Sequence, residues 1–501
     1  MCAEKGRTIM QNGTSGYGAR FATREEMLRD TNYGTLAGRE WESGGVVIAS
    51  DENSIHVDSS ESHVITVGAT GRGKSTSVVI PSLVTMIGAG ESAVVIDPVG
   101  EIYEKTAGMA KEAGYDVLTV NLRDPQHSNC YNPLEVPAAE MRAGNEDFAV
   151  ELVSDFADAI FSEKSTDDPF WNNSAADYTR GLMLKLLECA EPQEVHMRSV
   201  VAMNAQGWRG GLSSDPLKLL FRGKENEYSY FSISGTLNAP SDTRKSIISV
   251  FDQHMRVYVA SKGLSAVLSA SDFDITEFGR KKCVLYVVMA DEKPALHQLV
   301  AALINQWCQL LIREGGKYER NRLPVRVNLL LDEFANITVP NMSNLITVAR
   351  KRNIRIFMMV QNIDQLYVTF GKDRAKTIIN NCGIRIYLNV SDERTRQELS
   401  EECGKVSSVD SRGFLREEPL VPTYKFNQLY RGEALMFRDG VAFPFVTSLT
   451  PSFRMKLECP PAPPMPVRRC AEAQVFDIVR YVEGKMEKRQ KAVIIDPDLF
   501  T

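Results

Sequence analysis

A short apolar strand that runs directly into a glycine-rich loop is the feature that most constrains this chain. The strand His63–Val67 is followed by Gly68-Ala69-Thr70-Gly71-Arg72-Gly73-Lys74-Ser75, and Thr76 precedes a further apolar run. The loop matches GxxxxGK[ST], in which the glycines let successive backbone N–H groups turn toward a polyphosphate. In that pattern Lys74 reaches the β- and γ-phosphates and Ser75 binds Mg²⁺. The sequence therefore predicts a nucleoside triphosphate site over Gly68–Thr76.

Apolar runs of the strand type alternate with helical patterns on both sides of a long middle section. Such alternation is typical of a mostly parallel sheet with helices on both faces, so the predicted fold class is α/β. A closing hairpin is predicted at Ala434–Phe437 and Ala442–Phe445, with Arg438-Asp439-Gly440 as its turn. The other predicted strands are His63–Val67, Ala93–Asp97, Asp116–Leu122, Cys283–Met289, Val327–Leu331, Ile354–Val360 and Ile384–Val390.

The middle section, residues 146–276, is mainly helical in pattern. Its predicted helices are Phe148–Phe161, Ala175–Cys189 and Arg244–Val259. We therefore expect an all-α domain inserted into the α/β domain. The expected division is an N-terminal extension over 1–60, the α/β domain over 61–145 and 277–450, the insertion over 146–276, and a proline-rich linker with a C-terminal helix over 451–501. That last helix is predicted to present one apolar face made of Val475, Phe476, Val479 and Val482.

Composition excludes several broad classes of protein. The 501 residues have a net charge of −6, so any contact with nucleic acid needs a local basic surface rather than a globally basic protein. The N-terminus has no apolar core of the signal-peptide type, and no stretch approaches the roughly 18 consecutive apolar residues of a membrane span. The nine cysteines occur singly, without a CxxC pair, which favours reduced thiols in a cytosolic protein over a zinc site.

A second apolar strand ends in two carboxylates. Asn328-Leu329-Leu330-Leu331 is followed by Asp332 and Glu333. Hydrolysis at a phosphate loop needs a carboxylate for Mg²⁺ and a group that positions the attacking water, and these roles are assigned to Asp332 and Glu333. The alternative is that the two acids only cap the next helix, as acids do after many buried strands.

Two further polar residues are candidates for the same site. Gln361 follows the next strand along the chain, where its amide is placed to sense the γ-phosphate; the alternative is an ordinary polar strand end. Arg350 lies in a cationic run that is usually a solvated helix end. The sharper hypothesis is that Arg350 reaches the nucleotide of a neighbouring subunit.

Asp97-Pro98-Val99-Gly100 matches the DxxG pattern of GTPases. No NKxD motif for reading a guanine base occurs, and Asp332 and Glu333 already provide acids at the end of a strand. We therefore do not adopt a GTPase switch as the interpretation.

Taken in order, these strings resemble one known family. The chain from about residue 45 to about residue 450 is similar to the type IV secretion coupling proteins, the TraG-like conjugation ATPases. The DEFAN and QNxxQL strings are the ones most specific to that family. The matching segments are Gly68–Ser75, Val95–Glu101, Asp168–Trp171, Leu331–Asn336, Gln361–Leu366 and parts of Tyr367–Cys382.

The resemblance implies a RecA-like motor domain of the FtsK/HerA branch, interrupted by an all-α domain and working as a hexameric ring. It implies that Lys74 and Ser75 bind ATP and Mg²⁺. Asp332 and Glu333 would catalyse hydrolysis, and Gln361 would sense the γ-phosphate. Arg350 would act in trans. The implied partners are DNA bound without sequence preference, a relaxase or protein effector chosen by the all-α domain, and components of a type IV secretion channel.

Two departures limit what the resemblance implies. Members of the family typically begin with membrane-anchoring helices, which this chain lacks, so we expect either a start after the anchor or a variant recruited to the inner face of the cell membrane by a separate partner. Val99 stands where the family usually has lysine in DPKGE, which removes one basic contact. Two other functions stay open: an adaptor that uses nucleotide only to set its shape, and a related FtsK/HerA-type translocase in phage packaging or defence.

Overall fold

The chain forms two compact units in the computed structural model, which describes residues 17–36, 41–162, 169–208, 215–290, 292–409, 414–468 and 473–495. Asp168, part of one family-like segment, lies outside the described residues. The described residues of the first unit fall within Met1–Arg123, Ile275–Glu292 and Trp307–Met465, and those of the second within Asp124–Asp274, Lys293–Gln306 and Pro466–Thr501.

The described strands all belong to the first unit. In chain order they are β1 (Tyr17–Gly18), β2 (Asn32–Thr35), β3 (Val46–Ser50), β4 (Ser54–Asp58), β5 (Val64–Gly68), β6 (Ser92–Asp97), β7 (Asp116–Asn121), β8 (Cys283–Val288), β9 (Val327–Leu331), β10 (Ile354–Val360), β11 (Ile384–Asn389), β12 (Lys405–Val409), β13 (Leu415–Pro419), β14 (Glu433–Arg438) and β15 (Phe445–Ser448). Nine of them form one sheet in the order β15-β14-β11-β5-β10-β9-β6-β8-β7. The strands from β11 to β7 are parallel, and β14 and β15 form an antiparallel edge. Two small antiparallel sheets have the orders β2-β4-β3 and β1-β12-β13.

The central strands are buried along their whole length. β5, β6, β8, β9 and β10 contain no exposed residue, and most of their residues are apolar. A parallel strand needs such a continuous apolar run because helices cover both faces of the sheet. The predicted α/β class with a mostly parallel sheet is confirmed.

Helices connect the parallel strands, and the described part of the second unit consists of helices and loops. In chain order the helices are α1 (Arg24–Leu28), α2 (Ile80–Gly88), α3 (Glu101–Glu112), α4 (Glu135–Arg142), α5 (Glu146–Ile160), α6 (Phe170–Cys189), α7 (Met197–Gly207), α8 (Pro216–Phe221), α9 (Tyr228–Asn238), α10 (Ser241–Met255), α11 (Lys262–Val267), α12 (Pro294–Gly315), α13 (Met342–Ala349), α14 (Ile363–Phe370), α15 (Lys372–Asn380), α16 (Glu393–Glu402) and α17 (Ile478–Ile495).

Two local predictions near the C-terminal end are wrong. The last strand begins at Phe445 rather than at residue 442, since Pro444 has no N–H group for a sheet hydrogen bond. The last helix begins at Ile478, so two residues of its predicted apolar face precede it. Asp477 sets that start, because its Oδ1 accepts hydrogen bonds from the N–H groups of Val479 and Arg480.

A buried charged cluster fixes the N-terminal edge of the central sheet. Arg355 is 2% exposed and donates through Nη2 to Glu91 Oε2 at 2.8 Å and through Nε to Asn328 Oδ1 at 2.9 Å. Arg326 Nη1 lies 3.3 Å from the other oxygen of Glu91. Burial lowers the pKa of Arg355 to about 10. The cluster joins the starts of β6, β9 and β10 through charges that compensate one another, as buried charges must.

His63 connects helix α13 to the sheet. Its buried ring donates through Nε2 to the carbonyl of Ile346 at 2.8 Å, and its Nδ1 accepts from the N–H of Ile356 at 3.0 Å. The Ile346 carbonyl lies in the last turn of α13, where carbonyls lack intrahelical partners. Burial, together with the positive charges of Arg350 and Arg355, lowers the pKa of His63 to about 4. The ring is therefore neutral in the folded protein near pH 7.

We expect the protonation behaviour of His63 to lower the free energy of unfolding as the pH falls from 6.5 to about 4. The unfolded chain takes up a proton on this ring near pH 6.5, whereas the folded ring stays neutral until about pH 4. The unfolded state thus binds more protons in this window, so up to about 3 kcal/mol of stability, present above pH 6.5, is lost on acidification. The melting temperature of His63→Gln between pH 4.5 and 7.5 should depend less on pH than that of the wild type.

The control for this prediction is Lys105→Gln, at an exposed position on α3 that carries no imidazole. This control should keep the wild-type slope of melting temperature against pH. Equal slopes for His63→Gln and the wild type would contradict the assignment.

Three further findings concern an apolar helix, the cysteines and groups that could bind a metal ion. Among the described residues, one helix, α12, is long and apolar enough to cross a membrane, and 72% of its most apolar window is buried within the protein, as in a core helix. Among the described residues, Cys189, Cys283, Cys308, Cys382 and Cys403 are thiols, but Cys130 is disulfide-bonded, so the prediction of reduced thiols is wrong for Cys130. The described ranges contain no group of three or more His, Cys, Asp or Glu residues arranged to hold a metal ion.

Candidate functional site

The predicted phosphate loop lies between β5 and α2. Gly71 and Gly73 have φ angles of +76° and +96°, a conformation that glycine adopts without steric cost. A Cβ atom on Gly73 would lie 2.9 Å from Oγ of Ser77. The turn that follows, Lys74–Val79, is π-helical, which is frequent at functional sites. The loop and this turn contain all the predicted binding residues: Gly68, Ala69, Thr70, Gly71, Arg72, Gly73, Lys74, Ser75 and Thr76.

Neighbouring strands bring three of the predicted catalytic residues to this loop. β5 is parallel to β10, and β10 is parallel to β9, so the carboxyl ends of these strands share one edge of the sheet. Asp332 and Glu333 follow β9, and Gln361 follows β10 directly. Open α/β sheets bind their ligands at this edge.

The two predicted magnesium ligands are in direct contact. Ser75 Oγ donates to Asp332 Oδ2 at 3.1 Å, and the N–H of Glu333 donates to Asp332 Oδ1 at 3.0 Å. Carboxylate and hydroxyl oxygens are hard ligands of the kind that Mg²⁺ prefers. The fold therefore brings a hydroxyl and a carboxylate that are far apart in sequence to one position suited to Mg²⁺.

Lys74, Glu333 and Gln361 form a second set of contacts. The buried Lys74 Nζ donates to the carbonyl of Gly68 at 2.8 Å and lies 3.8 Å from Glu333 Oε1. Gln361 Nε2 donates to Glu333 Oε2 at 3.0 Å. Glu333 has a φ of +51°, an uncommon conformation outside glycine that clusters at active sites. Its carboxylate is thus held between an ammonium group and an amide.

Burial changes the acidity of two carboxyl groups at this edge. It raises the pKa of Asp332 to about 6, an effect that Glu333 increases and Lys74 opposes. Burial also raises the pKa of Asp97, at the end of β6, to about 6. A cation near either group would favour its ionised form. The electrostatics of this edge therefore suit a bound divalent cation.

Asp97 has a structural role that the DxxG pattern does not reveal. Its two carboxylate oxygens accept hydrogen bonds from the N–H groups of Gly100 at 2.9 Å and Tyr103 at 2.8 Å. These bonds satisfy free N–H groups at the start of α3, as a capping residue does. The loop that Asp97 holds leaves Val99 69% exposed.

Arg350 lies away from this group of residues. It is exposed and follows α13, shortly before β10 begins at Ile354. The catalytic candidates follow the C-terminal ends of β9 and β10, so Arg350 is near the opposite edge of the sheet. The seven residues of β10 alone separate these edges by about 20 Å, at about 3.3 Å per residue. Arg350 therefore does not belong to the site of its own chain.

The loop contains an unused polar atom that fits a phosphate ligand. Thr76 Oγ1 is buried and has no hydrogen-bond partner among the described residues. Buried hydroxyl groups normally have such a partner, and a phosphate oxygen would provide one. Together with Lys74 and the Ser75–Asp332 contact, this donor set fits a nucleoside triphosphate with Mg²⁺.

Sequence reasoning missed a cavity beside the loop. Arg72 and residues 427–431 line an open cavity of about 420 Å³. Residues 427–431 match none of the nucleotide motifs and are far from the loop in sequence. No pattern in the sequence points to them.

Comparison with known proteins identifies relatives over most of the chain. Residues 17–415 match the family model described as Type IV secretory system Conjugative DNA transfer. Protein VirD4 of Rhizobium rhizogenes is 25% identical over 353 residues, which cover 68% of this chain and 49% of VirD4. Conjugal transfer protein TraG of Escherichia coli is 25% identical over 371 residues, which cover 69% of this chain and 55% of TraG. The chain thus spans about half the length of the curated relatives it matches.

Solved structures of the plasmid coupling protein TrwB share the fold. The complex with the non-hydrolysable ATP analogue ADPNP matches with a TM-score of 0.64 at 16% identity and covers 92% of this chain and 99% of the solved TrwB chain. The complex with ADP and Mg²⁺ matches with a TM-score of 0.63, also at 16% identity, and covers 92% of this chain and 98% of the solved TrwB chain. At these identities the likeness concerns the fold. Since the family model covers well over half of its residues, the chain belongs to the type IV secretory system conjugative DNA transfer family.

Proposed function

We propose that this chain binds and hydrolyses ATP with Mg²⁺ at the edge formed by β5, β9 and β10. The Ser75–Asp332 contact carries the proposal, because it joins the phosphate loop to the acid strand at the position where Mg²⁺ would bind. Lys74 would neutralise phosphate charge, and Thr76 would donate its unused hydroxyl. TrwB structures with ADPNP and with ADP and Mg²⁺ support these ligands.

Glu333 is the residue proposed to activate water. Its carboxylate is held by Gln361 on one oxygen and faces Lys74 with the other, so its orientation is fixed before the reaction. A positioned base next to a phosphate loop orients the attacking water and accepts its proton. Because the amide of Gln361 is already bonded to this carboxylate, Gln361 would transmit the presence of a γ-phosphate to Glu333.

Arg350 is proposed to complete the site of a neighbouring subunit. It is exposed and lies at the edge of the sheet opposite its own phosphate loop. A head-to-tail ring places the edge of one subunit against the site of the next, which is how an arginine can act in trans. We therefore propose a ring-shaped homo-oligomer, a hexamer by analogy with the family.

The biological function proposed is that of an ATP-driven coupling protein. In this role the chain delivers a relaxase–DNA complex or protein effectors to a type IV secretion channel, at the inner face of the cell membrane and with a separate anchor partner where one is needed. The names and family of the relatives support it. The all-α section over 146–276 is proposed to select the cargo.

ATPase and mating assays with Lys74→Ala test this function. Removing the ammonium is expected to abolish both DNA-stimulated ATP hydrolysis and DNA transfer, whereas Lys105→Ala, at an exposed position on α3, should affect neither. DNA transfer at the wild-type level by the Lys74→Ala protein would overturn the proposal of an ATP-driven motor. It would favour the alternative, an adaptor that uses nucleotide only to set its shape.

A further inference from the structure

The order of the strands indicates on which side of β5 each end of a bound nucleotide would lie. The residues proposed to act on the γ-phosphate follow β9 and β10, which lie on one side of β5. On the other side of β5 lies β11, with Asn389 paired to Gly68 at the start of the phosphate loop. A nucleotide whose terminal phosphate points toward β9 and β10 can place its nucleoside toward the end of β11.

The cavity lined by Arg72 and residues 427–431 lies beside the loop on this side. Asn389, the last residue of β11, donates through Nδ2 to the carbonyl of Asn427 at 3.3 Å, which links the strand end to the cavity wall. Arg72 belongs to the phosphate loop itself. The cavity of about 420 Å³ therefore connects directly to the place where the phosphates would bind.

Burial of one residue and hydrogen bonds of another hold the wall of this cavity in place, and the wall contains a tyrosine. Leu429 is 4% exposed, so it fixes the segment to the protein. Tyr430 is held by two bonds with Glu433: its N–H donates to Glu433 Oε2 at 3.0 Å, and its carbonyl accepts from the N–H of Glu433 at 2.9 Å. Tyr430 is 59% exposed. A fixed backbone thus presents a large flat side chain to solvent, and Arg72 and Arg431, which line the same cavity, are also exposed.

We propose that this cavity is the nucleobase subsite, in which a purine stacks on Tyr430 and the arginines cover its edge and face. The inference rests on the proposed nucleotide binding and adds the residues that hold the base. Stacking on an aromatic ring is tolerant of base identity, because every base has a π-face. The subsite should therefore bind ATP and GTP with similar affinity.

Isothermal titration of the full chain with ATP, GTP and inorganic triphosphate, each with Mg²⁺, tests the subsite. Tyr430→Ala should raise the Kd for ATP and GTP about tenfold and leave the Kd for triphosphate unchanged, since only the stacking surface is removed. Tyr430→Trp should restore binding of both nucleotides. Tyr424→Ala, which removes another exposed tyrosine outside the cavity, is the matched control and should bind all three ligands like the wild type.

Two results would overturn the subsite while leaving the proposed function intact. One is wild-type affinity of Tyr430→Ala for ATP. The other is an equal loss of affinity for ATP and triphosphate, which would mean that Tyr430 only supports the loop. A wild-type chain that binds neither ATP nor triphosphate would instead overturn the proposed function, and the subsite with it.

Discussion

Glu333→Gln is expected to lower kcat for ATP hydrolysis by about 10² to 10⁴-fold while ATP still binds. Glutamine has the shape of glutamate and can still accept the hydrogen bond from Gln361, but it cannot take a proton from the attacking water. The contacts proposed between the phosphates and Lys74 and Ser75 should be unaffected. The measurements are the steady-state ATPase rate and the Kd for ATP.

The matched control for this substitution is Glu104→Gln, at an exposed position on α3. It should have wild-type kcat and Kd. A Glu333→Gln protein that hydrolyses ATP at the wild-type rate would remove Glu333 from the reaction. A loss of ATP binding equal to the loss of rate would assign it to binding instead.

Arg350→Ala is expected to reduce the ATPase rate of the assembled protein by about 10³-fold, the order of magnitude that arginine fingers contribute. Arg350 lies near the edge of the sheet opposite its own phosphate loop, so its removal should leave the Kd for ATP of the isolated chain unchanged. Rates measured over a range of protein concentrations, with DNA present to favour assembly, test this. Arg374→Ala, at an exposed position on α15, is the control and should keep the wild-type rate.

An Arg350→Ala protein with the wild-type ATPase rate at every protein concentration would contradict this role and leave Arg350 as an ordinary surface residue. The substitution also needs a check on the position of α13, because His63 holds the last turn of this helix. An unchanged melting temperature would show that the helix is in place.

The sequence was sufficient to predict the parts of the fold that depend on local patterns. The glycine loop, the continuous apolar strands and the acids after Leu331 each follow from residue types at fixed spacing. These patterns also predicted that Asp332 and Gln361 would meet the loop, since parallel strands bring their carboxyl ends to one edge. Their roles in hydrolysis stay a prediction.

Other features depend on contacts that no local pattern encodes. The small sheets formed by β1–β4, β12 and β13 pair segments that are short and in part far apart in sequence. The hydrogen bonds of Asp97 with Gly100 and Tyr103 explain a string that otherwise resembles a GTPase motif. The cavity lined by Arg72 and residues 427–431 lies beside the end of β11, a strand that pairs with β5.

An equal mixture of Lys74→Ala and Arg350→Ala proteins, assembled with DNA and assayed for ATP hydrolysis, tests most directly whether the site is shared between subunits. Each variant alone should be inactive, the first for lack of a phosphate contact and the second for lack of the trans arginine. In the mixture, an Arg350→Ala subunit keeps an intact loop and can receive the arginine of a Lys74→Ala neighbour, so a measurable fraction of the wild-type rate should return. A mixture as inactive as its two components, under conditions in which the wild type is active and assembled, would contradict the shared site.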